Sequence, residues 1–216
     1  MYETYGLLIG GAWRAAQAGD TMAVYSPVTE AEIGQIPAAG PADVAQALDD
    51  CAAAAGPWAK NPAWTRAGIL RRAADLLRAR LDEYARVMST ETGKPLAEAK
   101  GEVNAAADQF EWYGEEAKRI YGQTIPGRAE DERLTVTYAP VGPCLSLSAW
   151  NFPMLLPARK IAAALAAGNP VIARPASEAP GCCFILGQVL IEAGLPAGTL
   201  SILTGRSTPM VADLIA

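Results

Sequence analysis

The chain changes character at Pro140, where short apolar segments begin to alternate with amphipathic, helix-like ones. The segments GPCLSLSAW, PVIAR and TLSILTG are typical of buried strands, and each is followed by a segment with helical periodicity. This order predicts a parallel sheet with right-handed crossovers, which leaves few alternative folds. Three strands are few for such a sheet, so the predicted fold class is α/β with an incomplete, Rossmann-like parallel sheet.

The first 132 residues predict a framework of β-hairpins and helices. LLIGGAW is typical of a strand, a Gly-Gly turn and a second strand, and MAVYSPVT with EIGQIPAA is typical of another pair. Helices are expected from Asp43 to Ala55, in one run of apolar periodicity from Ile69 to Met88, and onward from Leu96. After this framework, LTVTYAP alternates apolar and polar side chains, which predicts a two-faced, exposed strand.

The charge pattern excludes several classes of partner. The chain carries 18 basic and 23 acidic residues, interspersed rather than in blocks, for a net charge of −5. No basic face is evident, which argues against nucleic acid as a partner. No apolar run approaches the roughly 20 residues that a membrane span needs, which argues against a membrane. The N-terminus lacks the basic start and apolar core of a signal peptide, so we expect a cytoplasmic protein.

The chain contains no histidine, which excludes Ser-His and Cys-His catalysis within these residues. No cysteine cluster compensates for the missing imidazoles, so we predict no metal site. The four cysteines form no C-x-x-C pair, and we interpret them as small buried hydrophobic residues in a reducing compartment: Cys51, Cys144, Cys182 and Cys183.

Polar residues follow each of the three predicted strands. They occupy positions 148–151, 174–177 and 204–207. Ligands of open parallel sheets bind outside the carboxyl ends of the strands, so these three strand ends are the candidate site. The Gly-x-Gly-x-x-Gly fingerprint and the Walker phosphate loop are both absent from the sequence, so a nucleotide would be held in a different way.

Four segments together resemble the aldehyde dehydrogenase superfamily. They are ETGKPLAEAKGEV from position 91, FEWYGEEAKRIYGQTIPG from position 110, APVGPCLSLSAWNFPMLLPARKIAAALAAGNPVIARPASEAPG from position 139, and GLPAGTLSILTG from position 194. They occur in family order over nearly the whole chain, and the long third segment is the most specific. The sequence from Trp112 to Gly122 is most similar to the succinate-semialdehyde branch of the family.

The resemblance implies the N-terminal part of the aldehyde dehydrogenase fold. Residues 1–132 would form the framework, residues 133–140 a bridging and oligomerisation strand, and residues 141–216 the first half of a Rossmann-like NAD(P)-binding domain. It also implies a small-molecule aldehyde as substrate and a homo-oligomer, either a dimer or a tetramer.

The reaction implied by the family is an NAD(P)-dependent oxidation. A cysteine thiolate attacks the aldehyde, hydride passes to the nicotinamide, and water releases the acid with help from a glutamate base. None of the four cysteines matches the nucleophile's motif, and both the nucleophile and the base would lie after Ala216. We therefore expect the isolated chain to be inactive. The alternative is a non-catalytic truncated paralogue that binds nucleotide or pairs with a longer subunit.

Asn151 matches the family asparagine whose side-chain amide donates a hydrogen bond to the substrate oxygen. A neutral, preorganised donor stabilises a developing oxyanion without being titrated. The alternative is that Asn151 caps a helix running from Phe152 to Ala167. The resemblance also implies that four residues line the cofactor cleft, namely Leu147, Ser148, Ala149 and Trp150. The family often has proline at the position of Ala149.

The family resemblance implies a second group of cofactor residues after the second strand, namely Arg174, Ala176, Ser177 and Glu178. The family usually has lysine where Arg174 stands, and a glutamate at the position of Ser177 goes with NAD preference. A guanidinium and a small hydroxyl suit a 2′-phosphate better than a carboxylate does, which favours NADP over NAD. Alternatively, Arg174 pairs with Glu178 or Glu192 at the surface, or Glu178 turns into the site.

Overall fold

The computed structural model describes residues 1–215, without the side chains of residues 207–209. The strands are β1 (Leu7–Ile9), β2 (Ala12–Arg14), β3 (Thr21–Tyr25), β4 (Glu32–Pro37), β5 (Gln123–Pro126), β6 (Arg133–Val136), β7 (Cys144–Leu147), β8 (Val171–Arg174) and β9 (Leu200–Ile202). The helices are α1 (Pro41–Ala59), α2 (Ala63–Ala79), α3 (Leu81–Thr92), α4 (Leu96–Glu116), α5 (Leu155–Ala166), α6 (Gly181–Glu192) and α7 (Ser207–Ile215). A short 3₁₀ turn, Ala117–Arg119, follows α4.

The central sheet confirms the predicted parallel arrangement and extends it. Strands β7, β8 and β9 are neighbours and parallel, with α5 and α6 as the crossovers between them. The sheet has five strands in the order β2-β1-β9-β8-β7, because β1 pairs antiparallel with β9. The three predicted strands form the parallel part of this sheet, and β1 and β2 add two antiparallel strands. The three residues of β1 are all buried, and a strand buried on both faces is stable only inside a sheet.

One predicted helix is in fact two. The apolar run from Ile69 to Met88 is divided at Arg80, whose backbone leaves the helical region at φ −113° and ψ 26°. The Arg80 guanidinium donates to both carboxylate oxygens of Glu192, at 2.8 and 2.7 Å, and to the Tyr84 hydroxyl at 3.1 Å. The apolar period continues across the break because α2 and α3 contribute to the same core. The first helix also runs four residues beyond the predicted Ala55.

Strands β5 and β6 form a hairpin of their own, in which Ile125 lies opposite Leu134. All eight residues of this hairpin are exposed. The predicted strand after position 133 is present, and β5 is a partner that we did not predict. The bridging and oligomerisation role of residues 133–140 stays a prediction, as do the three domain limits. None of the helices within residues 1–215 is both long enough and apolar enough to cross a membrane.

Framework side chains close the C-terminal ends of both crossover helices. Trp58 Nε1 donates to the Leu165 carbonyl at 3.2 Å, and Arg66 Nε donates to the Ala166 carbonyl at 3.0 Å, both at the end of α5. Arg72 Nε donates to the Ala193 carbonyl at 2.9 Å, just after α6. The last carbonyls of a helix have no partner within it, so these donors satisfy groups that would otherwise be buried without one.

Glu91 closes the N-terminal end of α6. One of its oxygens accepts hydrogen bonds from the Gly181 N–H at 2.7 Å and from the Tyr2 hydroxyl at 2.5 Å. A Cβ at position 181 would lie 2.7 Å from this oxygen, so glycine lets the carboxylate approach the helix. Burial raises the pKa of Glu91 to about 7, although both hydrogen bonds act to lower it. This carboxyl group therefore titrates near neutral pH.

The titration of Glu91 predicts a pH-dependent stability. Its folded pKa of about 7 lies above the ordinary value of 4.5, so the folded chain binds this proton more tightly than the unfolded chain does. The stabilising contribution is complete below about pH 4.5 and is lost as the pH rises through about 7. The variant Glu91→Gln stays neutral and keeps an acceptor for Gly181. Relative to this variant, wild type should lose on the order of 3 kcal/mol of unfolding free energy across that range.

Urea unfolding of both proteins from pH 4 to 8 measures this difference. Glu83→Gln, at an exposed position on the same helix, is the matched control, and its curve should run parallel to that of wild type. A Glu91→Gln curve that also runs parallel to wild type would contradict the account.

Candidate functional site at the carboxyl ends of the parallel strands

The three predicted strand ends meet at one edge of the sheet. The Ser148 N–H donates to the Arg174 carbonyl at 3.2 Å, which joins the segments that follow β7 and β8. The Leu203 N–H donates to the Ala173 carbonyl at 2.9 Å, which joins the segments at the ends of β8 and β9. Residues far apart in the sequence are thereby brought into one polar cluster.

Arg174 and Ser177 lie side by side in this cluster. Arg174 Nη2 donates to Ser177 Oγ at 3.2 Å and to the Gly205 carbonyl at 3.4 Å, and the Ser177 hydroxyl approaches the same carbonyl at 3.5 Å. Burial lowers the pKa of Arg174, and the nearby charge of Glu178 acts in the opposite direction. A bound anion stabilises a partly buried guanidinium more strongly than it stabilises an exposed guanidinium.

The contacts of Glu192, Glu178 and Ser177 bear on the alternative roles of Arg174. Glu192 forms an ion pair with Arg80, which accounts for its charge without Arg174. Glu178 is exposed and its charge acts on Arg174, and the Ser177 hydroxyl is in hydrogen-bond contact with the guanidinium. Ala176 is buried behind them.

The end of β9 contributes backbone rather than side chains. Thr204 is buried and its hydroxyl donates to the Pro37 carbonyl at 2.6 Å, so this side chain is committed to the framework. Gly205 has φ +155°, and a Cβ there would lie 2.6 Å from Met210 Cε and 3.1 Å from the Ala39 nitrogen. Only glycine fits, and its carbonyl is held beside Arg174. The predicted contribution of the Ser207 side chain lies outside the described atoms.

The segment after β7 is open to solvent. Leu147, Ala149, Trp150 and Asn151 are exposed, whereas Ser148 is buried and its hydroxyl has no hydrogen-bond partner among the described residues. The Leu147 carbonyl accepts a hydrogen bond from Lys160 Nζ. Trp150 lines a cavity of about 250 Å³ together with Tyr25, Thr92, Glu178 and other residues.

Asn151 is not a helix cap. Helix α5 begins at Leu155 rather than at the predicted Phe152, and its N-cap residue is Met154. The N–H groups of Met154 and Leu155 donate to Glu102 Oε1 at 2.9 and 3.1 Å. The Glu102 carboxylate from α4 therefore caps α5, which is the role that the alternative interpretation assigned to Asn151. Asn151 lies beside a cavity of about 360 Å³, and its backbone carbonyl accepts from Lys94 Nζ at 3.0 Å.

Lys94 and Glu102 were missed in reading the sequence. Glu102 sits in the buried stripe of α4 with Ala99, Val103 and Ala106, where a charged residue is out of place. A carboxylate at a core position is seldom retained without a partner, so its position was the available signal. The sequence pattern did not predict which backbone N–H groups the Glu102 carboxylate would bind.

All four cysteine thiols have pKa values above the ordinary one. Cys51, Cys182 and Cys183 are fully buried, and Cys144 is partly buried on β7. Burial raises the pKa of Cys51 and of Cys183 to about 12, and raises those of the other two thiols as well. None of these thiols is activated as a nucleophile. In the described part of the chain, no group of three or more metal-ligating side chains could hold a metal ion.

Comparisons with known proteins give a matching family and similar sequences. The profile of the aldehyde dehydrogenase family matches residues 13–216. A glutarate-semialdehyde dehydrogenase of Pseudomonas aeruginosa is 42% identical over 206 residues, which is 95% of this chain and 43% of that protein. An NADP(+) succinate-semialdehyde dehydrogenase of Escherichia coli is 41% identical over 200 residues, 93% of this chain and 42% of that protein.

A solved structure is also similar. The crystal structure of an aldehyde dehydrogenase from Brucella melitensis superposes with a TM-score of 0.96 at 44% identity, covering 98% of this chain and 44% of that one. The chain therefore spans less than half the length of each of these three proteins.

Proposed function

Because the chain belongs to the aldehyde dehydrogenase family, we propose that it supplies the oxyanion donor and half of the cofactor site for an NAD(P)-dependent oxidation of an aldehyde. The observation that carries this proposal is the junction of two adjacent strand ends. The segment with Asn151 and Trp150 follows β7, the cluster of Arg174 and Ser177 follows β8, and the Ser148–Arg174 backbone bond joins them.

Asn151 is proposed as the donor to the substrate oxygen. Its side chain belongs to an exposed loop, while its backbone and the following helix are held by buried charges. An amide is neutral at every pH of interest, so it stabilises an oxyanion without itself changing charge. The names of the relatives favour a semialdehyde as the substrate, and we extend that class to this chain.

The residues present fit a nicotinamide dinucleotide, which when bound would accept the hydride from the substrate. Arg174 and Ser177 would hold the adenosine phosphate, with Ala176 and Glu178 beside them, and the segment from Leu147 to Trp150 would line the cleft. We propose NADP as the preferred cofactor, because a serine hydroxyl contacts the guanidinium at the position where a glutamate goes with NAD preference in the family. The similarity to an NADP(+) enzyme supports the same choice.

The nucleophile and the base are proposed to come from outside residues 1–216. The four cysteines are buried or partly buried with raised pKa values, which leaves no thiolate for the attack on the aldehyde. The two parts of the reaction would therefore divide between this chain, which binds and polarises, and residues elsewhere, which form and break the covalent bond.

The isolated 216-residue chain is expected to bind NADP and to turn over no aldehyde. Calorimetric titration with NADP measures the binding, and absorbance of the reduced cofactor at increasing concentrations of glutarate or succinate semialdehyde measures the turnover. We call the protein that also includes the proposed nucleophile and base the intact protein, and it should be active in the same assay. Turnover by the isolated chain would contradict the proposed division, and an intact protein that binds NADP without oxidising any aldehyde would favour a non-catalytic, nucleotide-binding role.

Cofactor preference is tested by Ser177→Glu. A carboxylate at this position would neutralise Arg174 and repel a 2′-phosphate, so the NADP affinity should fall by roughly 10- to 100-fold while the NAD affinity changes little. Ser177→Ala is the control, since it removes the hydroxyl without adding charge. Equal effects of Ser177→Glu on NAD and NADP would contradict the assignment.

A further inference from the structure

A nearly buried ion pair lies next to the loop that carries Asn151. Lys94 Nζ contacts Glu102 Oε2, and only 13% of the lysine side chain and 2% of the glutamate side chain are exposed. The pair joins the turn before α4 to the body of that helix. Replacing a buried ion pair by apolar residues is often neutral for stability, so packing alone gives no reason for two charges here.

The two oxygens of Glu102 have separate roles. Oε2 binds Lys94, while Oε1 accepts the N–H groups of Met154 and Leu155 at the start of α5. A negative charge at a helix N-terminus is stabilised by the helix dipole and by the free N–H groups. Glu102 therefore fixes where α5 begins.

Lys94 holds the residues just before that point. Its ammonium group donates to the Asn151 carbonyl at 3.0 Å and lies 4.4 Å from the centre of the Phe152 ring. The cation thus contacts the backbone of the proposed oxyanion donor and the side chain of the next residue.

The position of Lys94 is itself restrained. It follows Gly93, which ends α3 with φ +70°, a conformation that favours glycine. The Lys94 N–H donates to Thr92 Oγ1 at 3.2 Å, and the Lys94 carbonyl accepts from Ser89 Oγ at 2.8 Å. With its backbone tied on both sides, Lys94 is a rigid support for the loop.

We propose that Lys94 and Glu102 are positioning residues that set the direction of the Asn151 amide, an inference that rests on the proposed role of Asn151. The chain from residue 151 to residue 155 is held at three places by this pair: the Asn151 carbonyl, the Phe152 ring, and the first N–H groups of α5. An oxyanion donor is effective only when its direction is fixed before the reaction, and the ion pair provides that restraint.

The first arm of the test measures kinetics in the intact protein. Lys94→Met should lower kcat by roughly 10- to 100-fold, with KM for the cofactor within about 2-fold of wild type, because the donor is misdirected while the cofactor site is untouched. Lys94→Arg keeps a cation in place and should recover most of kcat. Lys100→Met removes a partly exposed lysine of α4 that pairs with Asp82 at 2.7 Å, and this control should keep wild-type kinetics.

The second arm measures the loop itself in the 216-residue chain. In Lys94→Met, amide hydrogen exchange at Met154 and Leu155 should accelerate, and the side-chain amide resonance of Asn151 should shift, while exchange at buried Leu70 and Val103 stays as in wild type. Glu102→Gln keeps the shape of the side chain and removes its charge, so it provides the same readouts if Lys94→Met does not fold.

The outcomes separate the two proposals. A kcat for Lys94→Met equal to that of wild type would overturn the positioning role, as would equal losses in Lys94→Met and Lys100→Met. If the wild-type intact protein oxidises no aldehyde, the proposed function fails. The hydrogen-exchange measurement alone then tests whether Lys94 holds the loop. In that case unchanged protection at Met154 and Leu155 would overturn the claim that Lys94 holds this loop.

Discussion

Both crossover helices of the sheet depend on side chains from the framework to satisfy their ends. The free N–H groups of α5 and α6 are bound by Glu102 and Glu91, and their last carbonyls by Trp58, Arg66 and Arg72. A buried helix end without partners costs several hydrogen bonds, so the sheet and its helices are stable in this arrangement only with the framework in place. The position of the functional edge follows from these contacts, because α5 and α6 determine where the loops after β7 and β8 can run.

This dependence links stability to the proposed chemistry. The carboxylate that closes α5 also binds Lys94, and Lys94 binds the carbonyl of Asn151. The carboxylate that closes α6 lies in the wall of the same cavity as Trp150 and Glu178. Glu102 therefore acts on a helix end and, through Lys94, on the segment of Asn151, whereas Glu91 acts on a helix end beside the cavity that Trp150 lines.

Much of the fold could be predicted from the sequence because its signals are local. The alternation of apolar strands with helices after Pro140 and the Gly-Gly turn of the first hairpin depend on neighbouring residues only. The features that we did not predict depend on contacts between residues that are distant in the sequence. Leu8 pairs with Ile202 at the other end of the chain, Arg80 leaves the helix to bind Glu192, and α5 begins at Leu155 because a carboxylate 53 residues earlier caps it. In the candidate site, the resemblance supplied the residues at the strand ends, whereas Lys94 and Glu102 became visible only when the loop was seen in three dimensions.

The role of Asn151 is the central claim, and one substitution tests it directly. In the intact protein, Asn151→Ala removes the amide and leaves the backbone carbonyl that Lys94 binds. Loss of one oxyanion donor predicts a fall in kcat of roughly 100- to 1,000-fold, with the dissociation constant for NADP unchanged. A variant that oxidises the same aldehyde with kcat within about 2-fold of wild type would contradict the account, since the proposed function assigns to this side chain the hydrogen bond to the reacting oxygen.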